Sequence, residues 1–308
     1  MTAACDSCAR PSVIFMRYSG QHLCQDHFLD LIRRRVRKEV RSQRLLVGRK
    51  TIGVAVSGGK DSLLALALLH EIVEPFKDKE LTAITVDEGI EGYRPSSVGI
   101  ARKVAGDLGV RWDLTSFKDL FGTDLDTMVK ASGIGPCTIC GILRRNALNR
   151  AAVRTGSEVL ITGHNLDDMA QTVLMNVLGA DIHRFARMGP HLDPLPGFVP
   201  RGIPLRTTPE TETYLAAHLL GIPLYEVECP YAVSAHRGVF SDLLLRAERE
   251  TPGTRHSLLS FHEKVSPLIA RMNSETRRCP GCGEPIVLNG EVELCKACQL
   301  LEELGVGK

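Results

Sequence analysis

Long apolar stretches are absent from this chain of 308 residues. The longest one, from Leu63 to Leu69, is far shorter than the roughly 20 apolar residues with which a helix crosses a bilayer. The first residues also lack the charged start, apolar run and small-residue cleavage site of a signal peptide. We therefore expect a cytoplasmic protein without a membrane partner.

Aromatic residues are also few, and the net charge is close to zero. The chain is 5% aromatic, 44% hydrophobic and 24% charged, which is typical of a globular protein, and its formal net charge of +2 indicates no partner. The charges are unevenly distributed, however. One basic run contains a single acidic residue, Glu39, among Arg33, Arg34, Arg35, Arg37, Lys38, Arg41, Arg44, Arg49 and Lys50. A second group comprises Arg144, Arg145, Arg150 and Arg154. Such runs can follow a phosphate backbone, or they can form solvated helix faces.

Strand-like and helix-like segments alternate through the middle of the chain. Apolar β-rich runs at 51–56, 81–86, 111–116 and 159–162 are separated by segments of helical periodicity, at 63–73, 96–108, 143–153 and 168–178. This order predicts an α/β fold with a doubly wound parallel sheet. An amphipathic helix with a basic face is predicted from Phe28 to Leu46, before the first strand. A loop rich in Pro and Gly is predicted over 180–208, and further helices over 210–220 and 239–249.

The ten cysteines sort into three groups. Near the C-terminus, Cys279, Cys282, Cys295 and Cys298 form two pairs with the spacing of a zinc ribbon. Near the N-terminus, Cys5, Cys8, Cys24 and His27 repeat this arrangement with one imidazole. Each set gives tetrahedral Zn²⁺ a full complement of ligands, so we predict two structural zinc ions.

Three cysteines remain: Cys137, Cys140 and Cys229. The first two form a C-x-x-C pair that could act as a dithiol or carry a persulfide, and the third could be a buried packing residue. Three cysteines could equally hold an iron–sulfur cluster in which one iron lacks a protein ligand. The spacing alone leaves these alternatives open.

A glycine-containing loop at 57–62 follows the first predicted strand and precedes a helix, in the order Ser57, Gly58, Gly59, Lys60, Asp61 and Ser62. Backbone amides in such a loop, together with a helix N-terminus, form a site for phosphate groups. The loop differs from a Walker A motif, because its lysine is followed by aspartate and not by serine or threonine.

This loop and four further strings resemble the PP-loop ATP pyrophosphatases, and among them the tRNA-uridine 2-thiolation enzymes of the TtuA and NcsA type. The resemblance covers essentially the whole chain. The strings are VAVSGGKDS at 54–62, VDEGI at 86–90 with GYR at 92–94, CTICG at 137–141 with RR at 144–145, GHNLDD at 163–168, and ECP at 228–230. Segments 87–90 and 172–178 are more similar to the branch that acts on the anticodon wobble uridine.

The resemblance implies roles for individual residues. ATP is expected to bind at Ala55, Val56, the whole loop from Ser57 through Gly58, Gly59, Lys60 and Asp61 to Ser62, and at Val86, Arg144 and Gly163. A 4Fe–4S cluster is expected on Cys137, Cys140 and Cys229, and an acidic residue needed for activity at Asp168. We expect Asp61 or Asp168 to bind Mg²⁺, and Lys60 and Arg144 to offset charge on the leaving pyrophosphate.

The implied reaction is ATP-dependent 2-thiolation of a tRNA uridine. The C2 oxygen would attack the α phosphorus of ATP, and sulfur delivered through the cluster would replace it, releasing AMP. The sulfur donor is expected to be sulfide or a ubiquitin-like thiocarboxylate protein, and a homodimer is expected by analogy. The alternatives are persulfide chemistry without a cluster and a non-catalytic tRNA-binding scaffold subunit.

The predicted domain organisation combines these features. It consists of an N-terminal zinc finger at 1–28, a basic linker helix at 29–48, a PP-loop ATPase and cluster domain at 49–230, a helical extension at 231–278, and a C-terminal zinc ribbon at 279–308. The resemblance implies the adenine nucleotide α-hydrolase-like fold for the central domain.

Overall fold

A computed structural model of the chain describes residues 3–190, 197–223, 225, 227–232, 237–270, 276–287 and 293–306. The strands in these residues are β1 (Ile14–Met16), β2 (Gln21–Leu23), β3 (Thr51–Ala55), β4 (Glu80–Asp87), β5 (Arg111–Ser116), β6 (Val159–Ile161), β7 (Arg201–Gly202), β8 (Thr276–Arg278) and β9 (Pro285–Val287). The helices are α1 (Gln25–Ser42), α2 (Lys60–Val73), α3 (Arg94–Asp107), α4 (Phe117–Phe121), α5 (Leu125–Ala131), α6 (Pro136–Arg154), α7 (Leu166–Leu178), α8 (Ile182–Ala186), α9 (Glu210–Leu219), α10 (Arg237–Glu250), α11 (Thr254–Ala270) and α12 (Lys296–Glu303).

The centre of the fold is a five-stranded sheet in the order β5-β4-β3-β6-β7. All four neighbouring pairs are parallel. β3, β4 and β6 are largely buried, because helices cover both faces of the sheet. The chain proceeds outward from β3 in one direction and, from β6, in the other. Ligands of such sheets bind beyond the carboxyl ends of the strands where the order reverses, here between β3 and β6. The prediction of a doubly wound parallel sheet is confirmed.

Two local predictions were wrong. α6 begins at Pro136, seven residues before the predicted helix start at Leu143, because a proline fits the first turn of a helix. The C-x-x-C pair therefore lies in the first turns of α6. The predicted loop over 180–208 contains α8 and the edge strand β7. Two residues are too few to show strand periodicity, although β7 pairs with β6 through Arg201 and Gly202.

Some predicted segments extend beyond the described residues. These are 191–196 of the predicted loop, 233–236 and 271–275 of the predicted helical extension, and 1–2, 288–292 and 307–308 of the predicted zinc modules. None of the helices in the described ranges has the length and apolar character needed to cross a membrane.

The N-terminal segment and α1 pack on the central domain. Leu23, Phe28 and Val36 belong to the same buried cluster as Val54 of β3 and Leu64 of α2. At the other end of the chain, Ala297 and Leu300 of α12 pack in a second cluster with Ile139 and Leu143 of α6. The predicted domain limits stay a prediction, since these shared cores place no clear boundary.

Candidate nucleotide and cysteine site

The loop Ser57–Ser62 lies at the carboxyl end of β3, where the strand order reverses. Gly59 is the N-cap of α2, so the first amides of this helix face the loop. The Ser57 amide and the Ser57 hydroxyl lie 3.1 and 3.2 Å from the Ser62 hydroxyl, which in turn donates to the Gly59 carbonyl at 2.8 Å. A short loop held in this way at a helix N-terminus can bind the phosphates of a nucleotide.

Two glycines allow backbone segments to approach this loop closely. Gly58 has a φ of +88°, and a Cβ there would lie 2.1 Å from the Ser97 carbonyl oxygen of α3. Gly163 follows β6, and a Cβ there would lie 2.8 Å from the backbone of both Asp61 and Ser62. The segments after β3 and β6 are therefore in direct contact, as expected for a ligand crevice at this point of the sheet.

Gly58→Ala should destabilise the loop and weaken nucleotide binding. Both the left-handed φ and the clash with Ser97 oppose any side chain here, so we expect a loss of about 1–3 kcal/mol in the free energy of unfolding. Urea unfolding and ATP titration check this result. Gly99→Ala is the matched control, because Gly99 lies in α3 with nothing within 4 Å of its Cβ position. The control should gain roughly 0.5–1 kcal/mol, and equal behaviour of the two variants would contradict the account.

Lys60 and Asp61 are held by partners from α9. The Lys60 ammonium lies 3.1 Å from Asp61 Oδ2 and 2.8 Å from Glu210 Oε1. Burial lowers the pKa of Lys60, but the two carboxylates outweigh it and the net shift is upward. The other Asp61 oxygen accepts a hydrogen bond from the Thr213 hydroxyl. The arrangement keeps Lys60 charged at the start of α2, beside the expected phosphate site.

Asp168 serves as a helix cap in this structure. Its carboxylate accepts from the Asn165 amide at 3.1 Å, and the Asn165 side chain accepts from the Asp168 amide at 3.1 Å, which forms a capping box at the start of α7. The Arg237 guanidinium lies 3.1 Å from the second carboxylate oxygen. A Mg²⁺ ion bound by Asp168 or Asp61 would share the carboxylate with the hydrogen bonds or the ion pair that it now makes.

The three internal cysteines come together from α6 and the segment before α10. Cys137 is exposed, Cys140 is buried and Cys229 is partly buried. The Cys137 thiol lies 3.8 Å from the Tyr231 carbonyl oxygen, two residues after Cys229. Burial raises the pKa of Cys140 to about 11, and Cys229 contributes to this shift through its charge. The fold thus packs the segment that contains Cys229 and Tyr231 against the first turns of α6, which carry Cys137 and Cys140.

Arg144 and Glu88 surround the buried thiol. Arg144 Nη2 donates to Cys140 Sγ at 2.9 Å, and Arg144 Nε lies 2.6 Å from Glu88 Oε1. Burial lowers the pKa of Arg144, but the charges and hydrogen bonds of Glu88 and Cys140 outweigh it. The net shift is upward, so the guanidinium stays charged. The Arg144 guanidinium lowers the pKa of Cys140, but burial outweighs it and the net shift is upward.

The three internal cysteines are the type of donor that a 4Fe–4S cluster requires. Within the described ranges, only the two terminal cysteine sets bring three or more ligand atoms within 4.8 Å of one another. A four-iron cluster bonds each thiolate to a different iron, so its ligands lie further apart than those of one ion. Cys137, Cys140 and Cys229 offer three such donors, and the buried one, Cys140, lies beside the Arg144 guanidinium.

The terminal cysteine sets have the geometry of single-ion sites. In the N-terminal set, Cys8 and Cys24 Sγ are 3.6 Å apart and Cys5 Sγ lies 3.4 Å from His27 Nδ1. In the C-terminal set, which comprises Cys279, Cys282, Cys295 and Cys298, the closest thiols are 3.5 Å apart. Tetrahedral zinc with bonds of about 2.3 Å spaces its sulfur ligands by roughly 3.8 Å, so both sets could hold a metal ion.

The basic run at 33–50 divides into structural and free residues. Arg33 forms an ion pair with Glu71 at 2.8 Å, and Arg35 forms a largely buried pair with Glu212 at 2.6 Å. The exposed residues Arg34, Arg37, Lys38, Arg41 and Arg44 have no acidic partner among the described residues. We call these five the α1 basic face. Its charges are available to a polyanion.

The second basic group divides in the same way. Arg154 is paired with Asp113 at 2.6 Å, and Arg144 with Glu88. Arg145 instead faces other cations: desolvation and the charges of Arg184 and Arg187 lower its pKa. Its backbone carbonyl accepts from Arg201 at 3.4 Å. Arginines gathered without an equal number of acids form a site for anionic groups.

Several residues at this site were assigned no role from the sequence. Glu88 and Arg94 belong to the strings VDEGI and GYR given above. Their ion pair of 2.6 Å, however, forms only because the start of α3 lies against the carboxyl end of β4. Thr213, Glu210 and Arg237 come from helices far along the chain and show no motif. Only their contacts with Asp61, Lys60 and Asp168 connect them to the loop.

Comparison with known proteins identifies the family of this chain. A PP-loop domain family profile matches residues 30–188, and the profile of the N-terminal LIM domain of the 2-thiouridine synthetase TtuA matches residues 5–29. The tRNA 2-thiolation protein NcsA of Haloferax volcanii is 38% identical over 97% of this chain and 98% of its own length. The cytoplasmic tRNA 2-thiolation protein 1 of Arabidopsis thaliana is 32% identical over 93% and 80%.

A solved structure matches the whole fold. The U34-tRNA thiolase NcsA of Methanococcus maripaludis, determined with its 4Fe–4S cluster, has a TM-score of 0.87 and 34% identity, and the match covers 100% of this chain and 98% of that one. The resemblance inferred from the loop and cysteine strings is thereby confirmed. The chain belongs to the PP-loop family of TtuA and NcsA type.

Proposed function

We propose that this protein is an ATP-dependent tRNA 2-thiolation enzyme that acts on the wobble uridine. The observation that carries the proposal is the convergence of Cys137, Cys140 and Cys229 beside a nucleotide loop at the switch point of the sheet. A scaffold subunit has no need of a phosphate loop and three convergent thiols. The names of the relatives support the substrate, and the U34 thiolase supports the wobble position.

The residues of the loop have distinct tasks in this proposal. The amides around Gly58 and Gly59 bind the phosphates, and Val56 and Val86 lie at the ends of the strands that flank the nucleotide. Lys60 carries fixed positive charge next to the departing pyrophosphate. Asp61 or Asp168 binds Mg²⁺ when ATP is present, and shares its carboxylate between the ion and the contacts it makes in this structure.

The chemistry begins at the substrate oxygen. The C2 oxygen of uridine attacks the α phosphorus of ATP, the bond to pyrophosphate breaks, and an adenylated uridine results. Sulfur then adds at C2, and AMP leaves with the original uridine oxygen. The cluster expected on the three cysteines supplies an iron without a protein ligand, at which sulfur can bind before transfer. Cys140 and Arg144 hold that end of the site in place.

Oxygen transfer tests this order of steps. A tRNA labelled with ¹⁸O at the C2 position of its wobble uridine, incubated with ATP, Mg²⁺ and sulfide under anaerobic conditions, should give AMP that carries one ¹⁸O atom. Unlabelled AMP from this reaction would mean that water hydrolyses ATP and that the uridine oxygen is not adenylated.

The α1 basic face should contribute to tRNA affinity. Changing Arg34, Arg37, Lys38 and Arg41 together to glutamine should weaken binding and reduce the slope of log K against log salt concentration by about 3, at roughly 0.7–0.9 per lost phosphate contact. Filter binding at several salt concentrations measures this slope. Lys103→Gln with Lys118→Gln, exposed residues of α3 and α4, provides the control. An unchanged slope in the quadruple variant removes this face from the binding surface.

The remaining assignments concern partners and cofactors. We propose zinc in both terminal sets, sulfide or a ubiquitin-like thiocarboxylate protein as the sulfur donor, a homodimer, and a cytoplasmic location. The arrangement of the terminal sets supports the first of these. The names of the eukaryotic relatives support the location.

A further inference from the structure

A buried arginine connects the nucleotide loop to strand β4. Arg94 is the first residue of α3, and its side chain is 4% exposed. Its Nη1 atom donates to the Ser57 carbonyl at 2.9 Å, and its Nη2 atom donates to the Val86 carbonyl. The Arg94 Nε atom lies 2.6 Å from Glu88 Oε2. One guanidinium thus joins the loop to the carboxylate that follows β4.

Glu88 continues this connection to the cysteines. Its side chain is 2% exposed, and its second oxygen lies 2.6 Å from Arg144 Nε. Arg144 in turn donates to Cys140 Sγ at 2.9 Å. Four consecutive polar contacts therefore run from Ser57 through Arg94, Glu88 and Arg144 to Cys140. We call this series the loop–thiol link.

Ser97 of α3 contacts both the nucleotide loop and Arg94, so the loop and the loop–thiol link cannot move independently. Gly58 approaches the Ser97 carbonyl so closely that only glycine fits, and the Ser97 hydroxyl lies 2.9 Å from Arg94 Nη1. A rearrangement of the loop on nucleotide binding must therefore displace the first turn of α3 and the Arg94 side chain. Arg94 and Glu88 form a buried ion pair, and Glu88 accepts a charge-assisted hydrogen bond from Arg144, so the displacement passes to Glu88 and Arg144.

We propose that Glu88 and Arg94 are positioning residues that couple nucleotide binding in the loop to the placement of the Cys140 thiol. This inference rests on the proposed function, in which the loop binds ATP and Cys140 is a cluster ligand. Such coupling is reciprocal. If the nucleotide changes the affinity of the Cys140 thiol for a ligand, binding of that ligand changes the affinity for the nucleotide by the same factor. Glu88 is essential to the link because one of its oxygens forms the ion pair with Arg94 while the other accepts a hydrogen bond from Arg144.

Thiol labelling in the cluster-free protein tests the link without tRNA, iron or turnover. The full chain is treated with iodoacetamide at one pH, with and without α,β-methylene ATP, an analogue that resists cleavage between the α and β phosphates. Mass spectrometry then gives the labelling rates of Cys140 and Cys137 separately. The exposed Cys137, which lies outside the link, serves as the internal reference. Nucleotide binding is first measured for each protein, and each is labelled at a saturating concentration.

In the unsubstituted protein, the analogue should change the ratio of the Cys140 rate to the Cys137 rate by roughly fivefold or more, the lower end of typical coupling. In Glu88→Gln the analogue should leave this ratio unchanged. Glu91→Gln, the same chemical change at an exposed residue nearby, should behave like the unsubstituted protein. If Glu88→Gln does not fold, Arg94→Lys should lose the effect, because the single lysine nitrogen cannot take the positions of the three guanidinium nitrogens that reach Ser57, Val86 and Glu88.

Two outcomes overturn the proposal. One is a ratio that the analogue does not change in the unsubstituted protein, and the other is a full nucleotide effect in Glu88→Gln or Arg94→Lys. Neither outcome depends on tRNA thiolation. A protein that binds nucleotide and shows the link but makes no thiouridine would disprove the proposed function and leave the link intact.

Discussion

Cys140→Ser should abolish both iron binding and tRNA thiolation. The Cys140 thiol is buried, and Arg144 donates to it at 2.9 Å, so a hydroxyl in its place can hydrogen-bond but is a much poorer iron ligand than a thiolate. We expect iron and acid-labile sulfide after anaerobic reconstitution to fall to background, and thiolation with them. Metal analysis by mass spectrometry and digestion of the tRNA measure the two effects.

The other two cysteines separate a cluster from persulfide chemistry. With a cluster, Cys137→Ser and Cys229→Ser should lose iron as Cys140→Ser does, because all three residues are ligands. With a persulfide on the C-x-x-C pair, the protein should contain no labile sulfide, and Cys229→Ser should keep its activity. Thr138→Ser is the matched control, since Thr138 is exposed between the two cysteines of α6. It should retain both iron and activity.

Glu88→Ala should produce the largest loss of stability of any single substitution discussed. The carboxylate is 2% exposed and lies 2.6 Å from both Arg94 and Arg144, and Arg94 is itself buried. Removing one member of a buried ion pair leaves an uncompensated charge and costs about 3–5 kcal/mol. Because typical proteins unfold at a total cost of about 5–15 kcal/mol, this loss is a large part of the whole.

Urea unfolding of the zinc-loaded protein measures the effect. The matched control is Asp107→Ala, which removes the exposed partner of Lys103 at 2.7 Å. That pair has almost the same distance, but its side chains are 68% and 60% exposed, so its loss should cost about 0.2–1 kcal/mol. Equal losses in the two variants would show that Glu88 is not the centre of a buried ion-pair network.

The loop and the sheet could be predicted from the sequence because their signals are local. The β-rich run at 51–56 ends in a glycine pair and a helix, and the structure places β3, the loop and α2 in that order. The terminal cysteine sets are also local patterns, because zinc ligands occur in closely spaced pairs. Regular periodicity similarly indicated most helices of the sheet domain, apart from their first turns.

The contacts that build the site could not be predicted in this way. Glu88 follows β4, Arg94 begins α3 and Arg144 lies within α6, and no spacing in the sequence shows that they meet. The strand β7 was missed because two residues carry no period, and its place at the sheet edge depends on pairing with β6. The basic run at 33–50 looked uniform, yet Arg33 and Arg35 are ion-paired within the fold.

The proposed activity is the replacement of the C2 oxygen of a tRNA wobble uridine by sulfur. Its most direct test combines cluster-reconstituted protein, ATP, Mg²⁺, sulfide and unmodified tRNA under strict anaerobiosis, followed by nuclease digestion and mass spectrometry. We expect a uridine whose mass is increased by one oxygen-to-sulfur exchange, and we expect it to map to the wobble position of the anticodon. No thiouridine, in the presence of an intact cluster and bound ATP, would contradict it.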